Sequence, residues 1–335
     1  MMRFVGRHKL IRGFLGLVLA APLAASAQVL CVWDPMGAQG DGYNTMKDYV
    51  IAAKSWGGDV TLRAYTDERV ATEDFKSGQC DGALISGLRA RQFNQFVGSI
   101  DSVGSIPSYT HMRDVVDLIA NPKLAKNMVS GNYEIAGAVP IGAGYFFVND
   151  RSINSLAKAA GKKIAVFDWD KSQAEMVKMV GAQPVSADIT NFGGKFNNGQ
   201  VDIIVAPIFA YKPMELYKGL GTKGAIARFP VIQITFQLVL RKDKFPEGFG
   251  QKSRQYIAAQ VPRFFGLIRN TEREVDPKYW MHVPLSDRDG YEKIMRELRI
   301  HLTKAGFYDP RMMTMLKRVR CKREPDAAEC TLKDE

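Results

Sequence analysis

From Val29 to Ser86, apolar and polar positions follow a strand, helix, strand, helix, strand rhythm. Val29 to Trp33 is a short apolar strand, stopped by Asp34-Pro35-Met36-Gly37. Met46, Tyr49, Val50 and Ala53 recur at helical spacing, and Val60, Leu62 and Ala64 alternate as a half-buried strand. A short helix over Glu68 to Lys76 leads to the buried strand Asp81 to Ile85. This βαβαβ opening predicts a parallel sheet covered by helices.

The middle of the chain is more helical, with Met112, Val115, Val116 and Ile119 on one face. Ile135 to Val139 and Tyr145 to Val148 read as two strands. A second βαβαβ unit then runs through strands Lys163–Phe167, Gln183–Val185 and Val201–Ala206, with helices over Gln173–Val180 and Ile189–Phe196. Pro207 to Tyr217 can form the next helix, and the long strand Val231 to Leu240 follows. Of the helices beyond it, Asp289 to Lys304 is the clearest, burying Tyr291, Ile294, Met295, Leu298 and Leu302. The pattern predicts one lobe of residues 28–146 plus 238–335 and an inserted lobe of 147–237. Crossings at Gly144–Asn149 and Thr235–Leu240 would be the hinge strands of a cleft that closes on a ligand.

The N-terminus changes how the rest is read. Arg3, Arg7, Lys9 and Arg12 precede an apolar run from Gly13 to Ala25, and Ala25-Ser26-Ala27 fits a leader-peptidase site. The run is shorter than the roughly 20 residues a membrane-spanning helix needs. A signal peptide of residues 1–27, cleaved after Ala27, is expected. Leu30 before Cys31 argues against a lipoprotein. The mature chain is then an exported, periplasmic protein.

Composition fits a globular chain, with 46% hydrophobic and 24% charged residues among 335. The formal net charge of +11 invites a nucleic-acid reading. Cleavage removes four positive charges and no acidic ones, which leaves +7. That excess is modest, and an exported protein meets little nucleic acid. Five basic residues also cluster in one place, from Lys317 to Arg323; they read as a solvated helix face or, less simply, as a partner surface.

Cys31, Cys80, Cys321 and Cys330 form an even set in a disulfide-permissive compartment. Three pairings are open. Local pairing, Cys31–Cys80 and Cys321–Cys330, is favoured because each pair falls in one structural region. A zinc site fails on spacing, with no C-x-x-C and no nearby His.

Catalytic patterns are missing. Gly219-Leu220-Gly221-Thr222-Lys223-Gly224 has dinucleotide-fingerprint spacing, but a helix precedes it and a strand follows, the reverse of what that site requires. His111, His282 and His301 have no ligand-spaced partner. No cofactor or metal is called for.

In open α/β sheets, ligands bind beyond the carboxyl ends of the strands. Those ends deliver Trp33 and Asp34, then Ser86 with Arg89 and Arg91. In the inserted lobe they deliver Phe167-Asp168-Trp169-Asp170, then Phe209 and Tyr211. Aromatic walls with a few directed polar groups suit a small-molecule cleft. The plainer alternative makes Asp34 and Asp170 helix N-caps, Phe167 and Phe209 sheet cover, and either Arg a surface salt link.

One segment carries a likeness. Asp150-Arg151-Ser152-Ile153, Leu156, Gly161-Lys162-Lys163-Ile164, Gly181-Ala182-Gln183-Pro184-Val185 and Asn198-Gly199-Gln200-Val201-Asp202 follow one another in order. With Ser77-Gly78-Gln79-Cys80-Asp81-Gly82 upstream, they resemble the DctP-type solute-binding proteins of TRAP transporters. The likeness spans most of residues 28–260. It is closer still to a branch sometimes labelled as RND-type efflux components, a label that would require transmembrane helices. The resemblance implies an α/β type II periplasmic binding-protein fold: two lobes, each a central β-sheet flanked by helices, joined by hinge strands. It also implies ligand capture for membrane transporter subunits. Two departures bear on the ligand. Family members carry a carboxylate-clamping arginine on the strand matching Lys163–Phe167, where this chain has Ala165. The family's cleft asparagine is likewise missing from Ala206-Pro207-Ile208-Phe209.

The expectation is a monomeric, non-enzymatic solute-binding protein whose ligand is not held by a simple carboxylate clamp. An interaction protein that kept the fold without transport is the alternative, motivated by the missing arginine and the basic C-terminal helix. An enzyme would have only Asp168, Asp170 and Arg89 to work with.

Overall fold

The computed structural model describes residues 1–2 and 27–335, without the side chains of 285–286. The leader read at the N-terminus lies outside the described residues, Ala27 and the first two positions apart. The chain opens with β1 (Gln28–Trp33), α1 (Asp41–Lys54), β2 (Val60–Tyr65), α2 (Glu68–Ser77) and β3 (Gly82–Ser86). The short α3 (Gly87–Ala90) and α4 (Gln95–Gly98) precede α5 (Tyr109–Ile119), β4 (Val129–Ser130) and β5 (Tyr133–Val148). Next come α6 (Leu156–Ala159), β6 (Lys163–Phe167), α7 (Lys171–Met179), β7 (Gln183–Ala187), α8 (Phe192–Asn197) and β8 (Ile203–Pro207). The run to β10 adds α9 (Tyr217–Leu220), β9 (Ala225–Ala227) and β10 itself (Ile232–Arg241). Then α10 (Phe249–Arg273), β11 (Trp280–Met281), α11 (Leu285–Lys304) and α12 (Pro310–Arg323) follow.

Local chemistry explains the element ends. Asp67 accepts hydrogen bonds from the Arg69 and Val70 N–H groups at the start of α2, and Gly78 leaves that helix at φ +84°. β3 is buried at every residue because helices cover both sheet faces. The expected helix over Pro207–Tyr217 does not form. A single 3-10 turn, Ile208–Ala210, stands there, and α9 starts only at Tyr217. Pro213 restricts the residue before it, and Glu215 takes φ +51°, so a continuous helix is blocked. Gly221 ends α9 before β9, and the glycine-spaced segment is a turn.

The sheet runs β2-β1-β3-β10-β5-β8-β6-β7. β1 pairs in parallel with β2 and β3, and β6 with β7 and β8, so each half keeps its βαβ units. β10 and β5 are antiparallel to their neighbours and connect the halves. The two expected strands, Ile135–Val139 and Tyr145–Val148, are one strand of 16 residues. Pro140 and Gly142 look like a break in the sequence, but they bend β5 instead. Gly142 takes φ +114°, which side-chain-bearing residues rarely adopt, and β10 shifts register between Ile234 and Thr235 opposite the bend.

The larger core packs β1, β3 and β10 against Tyr49, Phe75, Met112, Phe249 and Leu316. A second core gathers around Phe147, Phe192, Phe196 and Ile204. The basic stretch of α12 is neither a plain solvated face nor a free docking helix. Lys317 and Arg320 are buried, Arg320 pairs with Glu329 at 2.6 Å and Glu335 at 3.0 Å, and Arg323 pairs with Asp114. Arg299 of α11 joins the same carboxylates, meeting Glu335 at 2.6 Å. Among the described residues, no helix is long and apolar enough to cross a membrane.

Both cysteine pairs are bridged, Cys31–Cys80 and Cys321–Cys330. The first joins β1 to the entry of its neighbour β3 across 49 residues. Replacing both Cys31 and Cys80 by Ala is expected to lower unfolding free energy by about 4 kcal/mol on the loop-closure estimate. Urea titration under oxidising conditions measures this against the wild type with both bridges intact.

Candidate functional site

The carboxyl ends of β1, β3, β6 and β8 surround a cavity of about 200 Å³, which Trp33, Ser86, Phe167 and Pro207 reach from those ends. Aromatic contacts fix its walls. Trp33 leans on Phe236 at 5.0 Å between ring centres, and Phe209 meets Phe236 edge-on at 5.8 Å. Phe167 stacks on Trp169 at 5.4 Å and touches Phe192 at 5.2 Å. Ile164, Ala165, Val166 and Val205 also line it.

One wall comes from an element read only as core. Tyr291, Ile294, Met295 and Leu298 of α11 line the cavity, facing Met176, Val177 and Val180 from α7 or just beyond it. The i, i+3, i+4, i+7 spacing in α11 gives an apolar stripe. That stripe is legible in the sequence, but nothing in it separates a cavity wall from a packed core.

Polar groups are few. Gln173 lines the cavity and accepts a hydrogen bond from the Phe167 N–H at 2.9 Å. Ser86 lines it too, while its Oγ caps α3 by accepting from the Arg89 N–H. Glu68, not picked out by sequence reasoning, is 2% exposed on the cavity wall. Its Oε1 accepts from the Ser86 N–H at 2.7 Å, and its Oε2 lies 3.2 Å from Arg89 Nε. That nitrogen makes no hydrogen bond, so the Glu68–Arg89 attraction is mainly Coulombic. Burial raises the Glu68 pKa, against the pull of Arg89 and the Ser86 N–H.

Arg89 and Arg91 do not line the cavity. Arg89 lies 4.2 Å over the Trp169 ring, a cation–π contact from the Ser86 end of β3 to the loop before α7. Arg91 donates to the Gly98 carbonyl at 3.2 Å and to Ser172 Oγ at 3.5 Å, with Asp170 at 3.8 Å. Asp170 is the N-cap of α7, accepting from the Ser172 N–H at 3.1 Å. Glu175 of α7 and His301 of α11 approach to 3.4 Å. These contacts clasp α7 and its leading loop to the body of the molecule.

The other nominated residues stand apart from the cavity. Asp34 is buried, and its carboxylate accepts from the Met36 and Tyr43 N–H groups at 2.9 and 3.2 Å, which holds the turn after β1. Gly40 passes so close that a Cβ there would meet that carboxylate at 1.9 Å. Asp168 is exposed and contributes its N–H to Ala187. Tyr211 is packed between Phe147 and Tyr217 in the second core. Among the described residues, no cluster of three or more His, Cys, Asp or Glu could hold a metal.

Beneath α3 lies another buried acid. Asp101 accepts from the Thr235 N–H at 2.9 Å and from Thr235 Oγ1 at 2.7 Å, and its backbone carbonyl accepts from Arg91 at 3.5 Å. Burial outweighs these bonds and pushes its pKa up to about 7.

With this geometry in view, comparison with known proteins is specific. The family model described as "Solute-binding protein AdeT 1/2" matches residues 50–335. The chain is 56% identical over 304 residues to the probable solute-binding protein AdeT1 of Acinetobacter baumannii, covering 91% of this chain and 100% of that one. It is 26% identical to AdeT2 of the same organism, over 70% of this chain and 99% of that one. Among solved structures, a TRAP periplasmic solute-binding protein from Desulfovibrio salexigens with bound orotic acid superposes with a TM-score of 0.72 at 15% identity, covering 88% and 99% of the two chains. One from Ralstonia eutropha H16 with bound (S)-2-acetolactate gives 0.72 at 12% identity, covering 89% and 99%. These structures share the two-lobed type II periplasmic binding-protein fold.

The acid at 101 yields a pH test. A folded-state pKa raised to about 7 means that the folded protein keeps a proton which unfolded aspartate loses near pH 4. Stability from this group is full below about pH 4 and is lost as pH rises through about 7. The stability difference between wild type and Asp101→Asn should therefore fall by up to about 4 kcal/mol between pH 4 and pH 8. Denaturant titrations across that range measure it; a flat difference would show that Asp101 titrates as an ordinary aspartate.

Proposed function

The chain belongs to the AdeT 1/2 family of solute-binding proteins, and we propose that it captures a neutral, largely apolar small molecule and delivers it to a membrane transporter. The observation that carries this reading is the cavity lining: among the described residues that form it, none is basic, and its one carboxylate, Glu68, is already balanced by Arg89. The solved neighbours hold acids, orotic acid and acetolactate among them. An acid placed here would meet Ala165 and Phe167 rather than a guanidinium fork. Desolvating a carboxylate with no counter-charge costs several kcal/mol. Burying 100 Å² of apolar ligand surface returns about 2.5 kcal/mol.

In this reading Trp33, Ser86, Phe167 and Phe209 touch the ligand, joined by the α11 stripe. Arg89, Arg91, Trp169 and Asp170 hold the closed arrangement without touching it, while Asp34, Asp168 and Tyr211 shape the lobes. The lobes are residues 28–146 with 238–335, and 147–237. Ligand that favours the closed form shifts the open–closed balance by its differential affinity. The protein works as a monomer in the periplasm after loss of residues 1–27. Its fold and family are those of binding proteins rather than enzymes.

Paired titrations test the ligand class, using carboxylic acids against their own methyl esters or amides, read by tryptophan fluorescence and calorimetry. Neutral partners should bind and the acids should not. Each added methylene should tighten binding about fourfold, the equivalent of about 0.8 kcal/mol. Phe209→Ala should weaken the neutral ligands at least tenfold. Acids that bind tighter than their esters would overturn the assignment.

A further inference from the structure

A second recess, of about 470 Å³, lies on the other side of β5 from the apolar cavity. Successive residues of a strand point to opposite sheet faces. Phe146 lines the cavity, and its neighbour Tyr145 lines the recess. Around Tyr145 the recess gathers Arg228, Arg269, Glu272, Arg273 and Trp280. Three guanidinium groups thus face one carboxylate.

That carboxylate is engaged already. Glu272 Oε1 accepts from the Tyr145 hydroxyl at 3.0 Å and also from the Tyr109 hydroxyl. The acids next in sequence are matched to lysines, Glu274 to Lys212 at 2.8 Å and Asp276 to Lys278 at 2.9 Å. Among the described residues, Arg228, Arg269 and Arg273 make no ion pair within 4.0 Å. Arg273 donates to Asn270 Oδ1 at 3.3 Å, and Arg228 lies 4.8 Å over the Trp280 ring. The last turn of a helix often carries a cation that faces its dipole, which accounts for Arg273 on α10 but not for Arg269 one turn before it. It does not account for Arg228, which follows β9, or for the aromatic wall supplied by β11 and β5.

We propose that this recess binds a small multi-oxygen anion, a di- or tricarboxylate or a phosphate, through Arg228, Arg269 and Arg273 beside Trp280. Guanidinium forks match the paired oxygens of such ions, and stacking on Trp280 holds the Arg228 fork in place. The site also straddles the lobe junction. α10 packs along β5 where that strand pairs with β10, whereas β9 pairs with its far end and with β11. An anion held by arginines from both sides ties these regions together behind the apolar cavity, and its binding is coupled to the lobe arrangement.

Calorimetry on the mature protein at fixed ionic strength tests the site, with citrate and inorganic phosphate as probes and chloride as the balancing ion. Saturable one-to-one binding of at least one probe is expected. Arg228→Gln and Arg269→Gln should each weaken it at least tenfold while leaving the circular dichroism spectrum unchanged. Arg318→Gln, an exposed arginine on α12, controls for net charge and should change affinity less than twofold. Three results would overturn the proposal: neither probe binding above the chloride background, Arg318→Gln weakening binding as much as Arg228→Gln, or polyglutamate binding where both small anions fail. The outcome is independent of the ligand in the apolar cavity, because no apolar ligand enters the measurement.

Discussion

At Gly144, β5 meets Ile232 of β10 on one edge and Pro207 of β8 on the other. Before that residue it is bonded chiefly to β10; beyond it β8 continues on one edge, and β9 takes over the edge that β10 has left. A buried strand cannot leave its N–H and C=O groups unpaired, so this exchange fixes where one lobe's sheet stops and the other's begins. The remaining architecture follows. Parallel strands on either side of the exchange direct their carboxyl ends to a common space, and the cavity forms there. Because the strand is pleated, the residues at the exchange serve two faces, with Phe146 toward the cavity and Tyr145 toward the arginine recess.

Charge is placed around the cavity rather than in it. Glu68 and Arg89 neutralise each other at its edge, and Arg89 spends its cationic face on Trp169. Arg91 reaches Asp170 and Ser172 in the same way. Buried ion pairs of this type add little net stability, because desolvation offsets most of their attraction. Removing one partner is costly, however, so they discriminate strongly between arrangements in which they meet and arrangements in which they separate. Such a set favours the arrangement of α3 and the loop before α7 that keeps its partners together, and of its charged members only Glu68 reaches the cavity wall.

Much of the fold was legible because alternating and helical periodicities are strong over β1 to β3, α1, α5, β6 and α11. Cys31 and Cys80 were pairable for the same reason, since neighbouring strands bring them together. β5 was read as two strands because Pro140 and Gly142 carry local signals for a break; the compensating shift in β10 lies about ninety residues away. At the site, strand ends pointed to Ser86, Arg89 and Arg91, but of these only Ser86 lines the cavity. The partner of Arg89 is a glutamate on the preceding helix, and a carboxylate at a helix start is indistinguishable in sequence from an ordinary solvated one. Asp34 and Tyr211 show the converse. Both stand near a strand end, and both are turned into the lobe by contacts with Tyr43 and Phe147.

The arginine missing from β6 gains meaning from what surrounds Ala165. If that substitution stood alone, an acid ligand could still be held by Arg89, which is close in sequence to the strand end. Arg89 is already engaged, however, with Glu68 on one side and Trp169 on the other. Releasing it would leave Glu68 ionised and 2% exposed with one backbone N–H for support. Burial already raises the pKa of that group, and separating the pair would remove the attraction that opposes the rise. Two features of the walls support the proposal of a neutral ligand: position 165 is a small apolar residue, and Arg89 is committed to Glu68 and Trp169.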